Sequence, residues 1–151
     1  MTSDRVRFVF VDVFASRPLT GNPLALVPDA DDVSLSRMRA VAREFNQSET
    51  TFLLRPTDAS AQWRLRSFTP EGVEVGGAGH NALGAWLWLA DQKLVGSGDF
   101  VQQIGEELLP VTIRTSTTAT PRVTMRQSAP TFGHTDIDAA AAARALGITP
   151  D

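Results

Sequence analysis

Between Asn81 and Asp91 the chain is apolar on almost every side: Ala82, Leu83, Ala85, Trp86, Leu87, Trp88, Leu89 and Ala90 are interrupted only by Gly84. A helix of that composition has no face to give to water, so protein must surround it. The run is too short to cross a bilayer. The container that fits is a curved sheet, and strand-like segments are numerous enough to build one. This segment therefore predicts a curved sheet wrapped around a central apolar helix.

Residues 6–14 are rich in Val and Phe and read as a strand buried on both faces. A turn cluster follows at 17–23, and 24–27 resumes as a strand that Pro28 stops. Residues 50–54 form a further strand. Residues 62–68 alternate Trp63 and Leu65 with Arg64 and Arg66, the pattern of a half-buried antiparallel strand. Residues 69–79 read as a Gly-rich connection, and 100–104, 109–115 and 121–126 complete the strand inventory.

Two more helices bracket this set. Ser34 is placed to cap the first, with Asp31 and Asp32 before it to suit the positive end of its dipole. Leu35, Met38, Val41, Ala42 and Phe45 recur at helical spacing, Val33 can staple onto Met38, and Asn46 suits a left-handed stop. The last helix spans 136–146 with Thr135 as cap and Gly147 at the exit. Thr149-Pro150-Asp151 then reads as the opening of another helix. The expected division is a lobe at 1–134 and a connecting helix at 135–151 that leads toward a second lobe outside this sequence.

At 151 residues and 42% hydrophobic content, the chain is one domain with a real core. Net charge is 14 − 17 = −3, and Arg64, Arg66, Arg122 and Arg126 are scattered instead of forming a patch, so no nucleic-acid partner is expected. There is no cysteine, which removes disulfides, thiolate metal sites and a thiol nucleophile. His80 and His134 are the only histidines and lie far apart, so no metal site is expected. The first residues lack a signal-peptide pattern. The expectation is a cytoplasmic protein with no membrane partner.

Two segments carry chemistry. Ser48-Glu49-Thr50-Thr51 follows the amphipathic helix, and Gly79-His80-Asn81 opens the apolar one. An exposed Glu titrates near ~4.3, too low to donate protons well at neutral pH. Glu49 is therefore either a solvated residue at a helix end or an acid/base group that a cleft must shield from water. His80 either caps its helix or faces a ligand. In the second case the backbone N–H groups of Gly79, His80 and Asn81 can grip a carboxylate. Ser48 reads equally as a substrate ligand or a backbone cap. Gly21-Asn22-Pro23 shapes a turn beside the cleft, Glu71 and Glu74 are loop acids, and His134 has no role. Gly76-Gly77-x-Gly79 lacks the full spacing of a dinucleotide fingerprint.

Five segments in order resemble the PhzF-like family of phenazine-biosynthesis proteins, relatives of diaminopimelate epimerase. They are Val11-Asp12-Val13-Phe14, Gly21-Asn22-Pro23-Leu24-Ala25, residues 42–50 from Ala42 through Ser48-Glu49-Thr50, Phe68-Thr69-Pro70-Glu71, and residues 78–85 around Gly79-His80-Asn81. The likeness runs over nearly all of this chain but only about half of a usual member. It implies an α+β fold, an α/β roll in which a rolled, mostly antiparallel sheet wraps the central apolar helix, as one lobe of a diaminopimelate epimerase-like two-lobed fold with the active site between lobes. It further implies cofactor-independent isomerase chemistry on small carboxylate-bearing metabolites, so no cofactor is expected. The resemblance assigns the proton shuttle to Glu49 and a binding or assisting role to His80; Ser48, Gly79 and Asn81 are the expected substrate-binding residues beside them. Two positions depart from the pattern. Ala78 stands where epimerase relatives have Cys, which removes two-cysteine racemisation, and Gly76-Gly77 replaces Pro or a bulky apolar residue.

The function these readings predict is a PhzF-like isomerase whose site is completed by a second, C-terminal lobe or by a homodimer partner. The alternative is a non-catalytic ligand-binding or oligomerisation module made of a single lobe.

Overall fold

The computed structural model describes residues 5–77, 79–116, 120–127, 129–133 and 138–148. Along the chain come β1 (Val9–Val13), β2 (Asn22–Val27), α1 (Leu35–Phe45), β3 (Thr50–Leu54), β4 (Trp63–Phe68), β5 (Glu74–Val75), α2 (His80–Asp91), β6 (Gly98–Ile104), β7 (Glu107–Arg114), β8 (Arg122–Met125) and α3 (Ala139–Ala145). The strands form one sheet in the order β1-β2-β3-β4-β6-β7-β8, with β5 added to β4. Pairing is antiparallel except at β2–β3 and β4–β6. Since β3 occupies one edge of β4, β5 and β6 share the other, β6 along Trp63–Leu65 and β5 along Ser67 and Phe68.

Each parallel join is bridged by a helix, α1 between β2 and β3 and α2 between β4 and β6. The strand direction reverses between the two joins, because β3 and β4 are antiparallel. A common hand of crossover therefore requires the helices on opposite faces. That is the arrangement found. On one face α1 packs with Val27, Phe52, Leu54 and Phe68, and on the other α2 packs with Leu26, Leu53, Leu65, Ile104, Val111 and Ile113. Consecutive residues of β3 thus point into different cores, as the two-residue period of a strand demands.

The sheet curls around α2, which touches β1 and β8, the two ends of the strand order. Ala82, Ala85, Trp86 and Leu89 are fully buried there. Trp86 satisfies its indole N–H on the buried Gln102, at 2.8 Å to Oε1, and leans on Phe100 at 5.4 Å between ring centres. Gly84 permits the close approach to β1 and β2, since a methyl there would stand 2.7 Å from both Leu24 Cδ2 and Val13 Cγ2. Among the described residues no helix is long and apolar enough to cross a membrane.

The first helix forms as its local signals direct. Ser34 caps α1 by accepting from the Arg37 N–H, Asn46 ends it in the left-handed conformation at φ 50°, and Val33 packs in the same cluster as Met38. Asp31 does not serve the helix dipole; its carboxylate takes the backbone N–H and Nε of Arg55, tying the entry of α1 to the exit of β3.

Three expectations change. Residues 6–14 are not a strand buried on both faces: β1 is an end strand of the sheet, Val13 is buried, and Phe8, Phe10 and Phe14 remain exposed. Val9, Val11 and Val13 face α2, whereas Phe8 and Phe10 stack on each other and on Phe45 of α1. Strand β4 is not purely antiparallel, since it runs parallel to β6. The final helix is shorter than 136–146. Asp138 caps it by accepting from the Ala140 and Ala141 N–H groups, an aspartate directly before an alanine run being the stronger local cap. Thr135, His134, Ala78 and Thr149-Pro150-Asp151 lie outside the described residues.

Candidate active site

Glu49 precedes β3 on the same parity as Thr51 and Leu53, the residues that face α2. The left-handed turn at Asn46 and a bond from Gln47 Nε2 to the Phe45 carbonyl at 3.0 Å bring the chain from α1 sharply into that strand. His80 is the first residue of α2, with Gly79 at the cap position. The two elements place His80 Nε2 3.3 Å from Glu49 Oε2, with side chains 12% and 25% exposed. Both atoms are shielded from solvent, and among the described residues neither makes a geometrically sound hydrogen bond. The carboxylate and imidazole singled out as candidates stand at an ion-pair distance but without a linear N–H···O bond.

A buried polar chain stands behind this pair. Thr51 Oγ1 and Ser67 Oγ, opposite each other on β3 and β4, are 2.8 Å apart. Asn81 Nδ2 donates to Ser67 Oγ and to the Gly77 carbonyl, each at 3.1 Å, and Asn81 Oδ1 accepts from the Gly79 N–H at 2.7 Å. The Gly79 N–H is therefore taken by the chain itself and is not free to grip an anion as expected. The N–H groups of His80 and Asn81, in the first helical turn, have no intrahelical acceptor. Ser48 is exposed next to Glu49. Sequence reasoning passed over Thr51 and Ser67. Their signal was present: both are polar residues at register positions whose neighbours, Leu53 and Leu65, are core, and a buried hydroxyl there needs a partner.

The turn at Gly21 lies beside the α1–β3 junction. Asp12 accepts from the backbone N–H groups of Thr20 and Gly21 at 3.1 and 2.9 Å. A side chain at Gly21 would stand 2.3 Å from the Val13 carbonyl oxygen, so only glycine fits. Asn22 and Pro23 already belong to β2. The groove here holds about 430 Å³ and is lined by Phe10, Val11, Asp12, Leu19, Gly21, Pro23 and Gln47. Leu19 in this lining and Phe14, directly after β1, adopt left-handed backbone at φ 65° and 62° while 96% and 73% exposed. Such backbone is costly for bulky residues.

Glu74 is not a loop acid. It lies on β5 and binds Arg66 through two 2.7 Å contacts, and the same guanidinium sits 5.3 Å from the Phe68 ring centre. The Arg66 hydrogen bonds hold the Glu74 carboxyl below the usual glutamate range. A carboxyl depressed in the folded state adds stability above its unfolded value, ~4.3, and that stability is lost as pH falls through the folded value. Glu74→Gln is therefore expected to flatten the loss of stability below about pH 4.3, measured as urea midpoints from pH 7 to pH 3. An acid limb as steep as that of the unaltered protein would remove Glu74 from the account. Among the described residues no cluster of three or more His, Asp or Glu side chains could hold a metal ion.

The family model described as phenazine biosynthesis-like protein matches residues 11–151. Over 84 residues, 55% of this chain, the sequence is 51% identical to the trans-2,3-dihydro-3-hydroxyanthranilate isomerase of Pseudomonas aeruginosa, covering 29% of that protein. Over 105 residues, 69% of this chain, it is 41% identical to an uncharacterized isomerase of Mesorhizobium japonicum, covering 34% of it. The fold matches a crystal structure of a Bacillus anthracis phenazine biosynthesis protein of the PhzF family with TM-score 0.80 at 28% identity, over 95% of this chain and 47% of that one. A methylitaconate-delta-isomerase structure shares the fold alone, at TM-score 0.54 and 12% identity. The chain thus spans less than half the length of the two isomerases and of the Bacillus anthracis protein.

Proposed function

The chain belongs to the phenazine biosynthesis-like protein family, and on that premise we propose that it serves a cofactor-independent isomerase acting on a small carboxylate-bearing metabolite. The observation that carries this reading is the shielded contact between Glu49 and His80. The substrate's carboxylate rests on the N–H groups of His80 and Asn81 at the positive end of α2. Glu49 removes a proton from one carbon, the electron pair shifts the double bond, and the Glu49 carboxyl, having exchanged its proton with solvent, delivers a proton to a second carbon. No electrons enter or leave, so the step needs no redox partner. His80 holds the carboxylate's position between the two transfers.

An opposing lobe, from a second copy or from further chain, closes the site. The exposed apolar rim of Phe10, Phe14 and Leu19 beside the Asp12–Gly21 groove supports such a partner. The relatives' names direct the first assay. The protein with its opposing lobe in place, as a dimer or as the longer chain, is offered trans-2,3-dihydro-3-hydroxyanthranilate and other small unsaturated carboxylates, and double-bond migration is followed by NMR. Protein-dependent migration in at least one compound is expected. No conversion of any, where the Pseudomonas enzyme turns over, would sink the proposal.

A further inference from the structure

We infer that Asn81 is the positioning residue of the Glu49–His80 pair: its amide, clamped between the hydroxyl of Ser67 and the backbone of Gly77 and Gly79, sets where α2 begins and so where the imidazole stands against the carboxylate. This rests on reading that pair as the proton-transfer site, and it gives Asn81's side chain a different task from substrate contact. Only 4% of Asn81 is exposed, so its amide is out of a ligand's reach. The amide's orientation is dictated by its partners. The Gly79 N–H can only donate, so it must meet Oδ1. The Gly77 carbonyl can only accept, so it must meet Nδ2.

The surroundings explain why an amide is needed here. A methyl added at Gly76 or Gly77 would meet nothing within 4 Å, and at Gly79 it would meet only Asn81 Oδ1, at 3.5 Å. Packing does not hold these glycines. The Arg66–Glu74 pair anchors the chain as far as β5, and the Asn81 amide takes over beyond it. Gly79 has no side chain to cap α2. Asn81, two residues into the turn, instead reaches back to the cap residue's N–H, the task the third helical residue performs in a capping box. Through Ser67 the amide is tied to Thr51, two residues from Glu49. One polar chain thus joins the strand that presents the carboxylate to the turn that presents the imidazole, and a fully satisfied buried network of this kind is rigid.

Two structural readouts test this without any substrate. Gly79 is exposed, so protection of its amide against hydrogen exchange reports its bond to Asn81. Asn81→Ala is expected to speed that exchange about tenfold or more while the Leu53 and Leu65 amides keep their protection. In the protein as it stands, Glu49→Gln is expected to shift the His80 ring resonances, and in the Asn81→Ala background that shift is expected to collapse. Ser67→Ala removes the strand anchor without altering α2 and is expected to act in the same direction; it carries the test should Asn81→Ala fail to fold. A Glu49-dependent shift of unchanged size, or Gly79 exchange at the original rate, would overturn the inference. Both readouts are independent of turnover, so their failure leaves the isomerase reading standing, and absence of turnover leaves them interpretable.

Discussion

Glu49→Gln is expected to lower the isomerisation rate by ~10²–10⁴-fold with little change in KM, the range that a placed proton-transfer group contributes. The substitution keeps the side chain's volume and one acceptor oxygen, and the contact it alters is an unbonded 3.3 Å approach to His80. Folding therefore has little to lose. What disappears is the ability to take a proton from carbon and give it back. The loss belongs in kcat, because the substrate carboxylate is assigned to backbone donors on α2 and not to Glu49. A rate within a few-fold of the original, with an unchanged thermal midpoint, would show that some other group moves the proton.

The largest effect on stability is expected at Trp86. Its side chain is fully buried at the centre of α2, packed on Phe100 and bonded to Gln102. Replacing a buried Trp by Ala costs about 3–5 kcal/mol through lost burial and the cavity left behind. The same change leaves the fully buried Gln102 Oε1 without its donor, and an orphaned buried acceptor costs a further ~1–3 kcal/mol. Against a total stability of roughly 5–15 kcal/mol, Trp86→Ala should remove a large share of what holds the fold together. Urea denaturation of Trp86→Phe beside Trp86→Ala separates the two contributions, because Phe restores the ring but not the N–H. A Trp86→Ala loss below about 2 kcal/mol would mean that α2 is not the centre of the core.

The local elements were legible because their signals are local. Ser34, Val33 and Asn46 mark both ends of α1 within a few residues, and the apolar circumference of α2 demands an enclosing sheet wherever the strands come from. The two parallel joins were not legible, because each pairs strands separated by a helix and no short pattern encodes the partner. The first strand was misread for a related reason. Val and Phe are both apolar, so the alternation of Val9, Val11 and Val13 with Phe8 and Phe10 passed for burial on two faces, when only the Val face is covered by α2.

At the site, Glu49 and His80 were each legible as candidates from their places at element ends, but their meeting was not, because it depends on how β3 and α2 pack. The destination of the Gly79 N–H was not legible either. Helix geometry leaves that donor open, and the reach of Asn81's side chain back to it depends on Ser67, fourteen residues earlier on β4, standing behind the amide. The Arg66–Glu74 clamp was hidden likewise, because the connection was read as loop and β5 within it is only two residues long.

The measurement that bears most directly on the central claim is deuterium transfer from D₂O into the substrate, run side by side with the unaltered protein and Glu49→Gln and read by NMR at each carbon. The account predicts deuterium at the carbon that receives the proton with the unaltered protein, and none above background with Glu49→Gln. Equal incorporation by both proteins would contradict it.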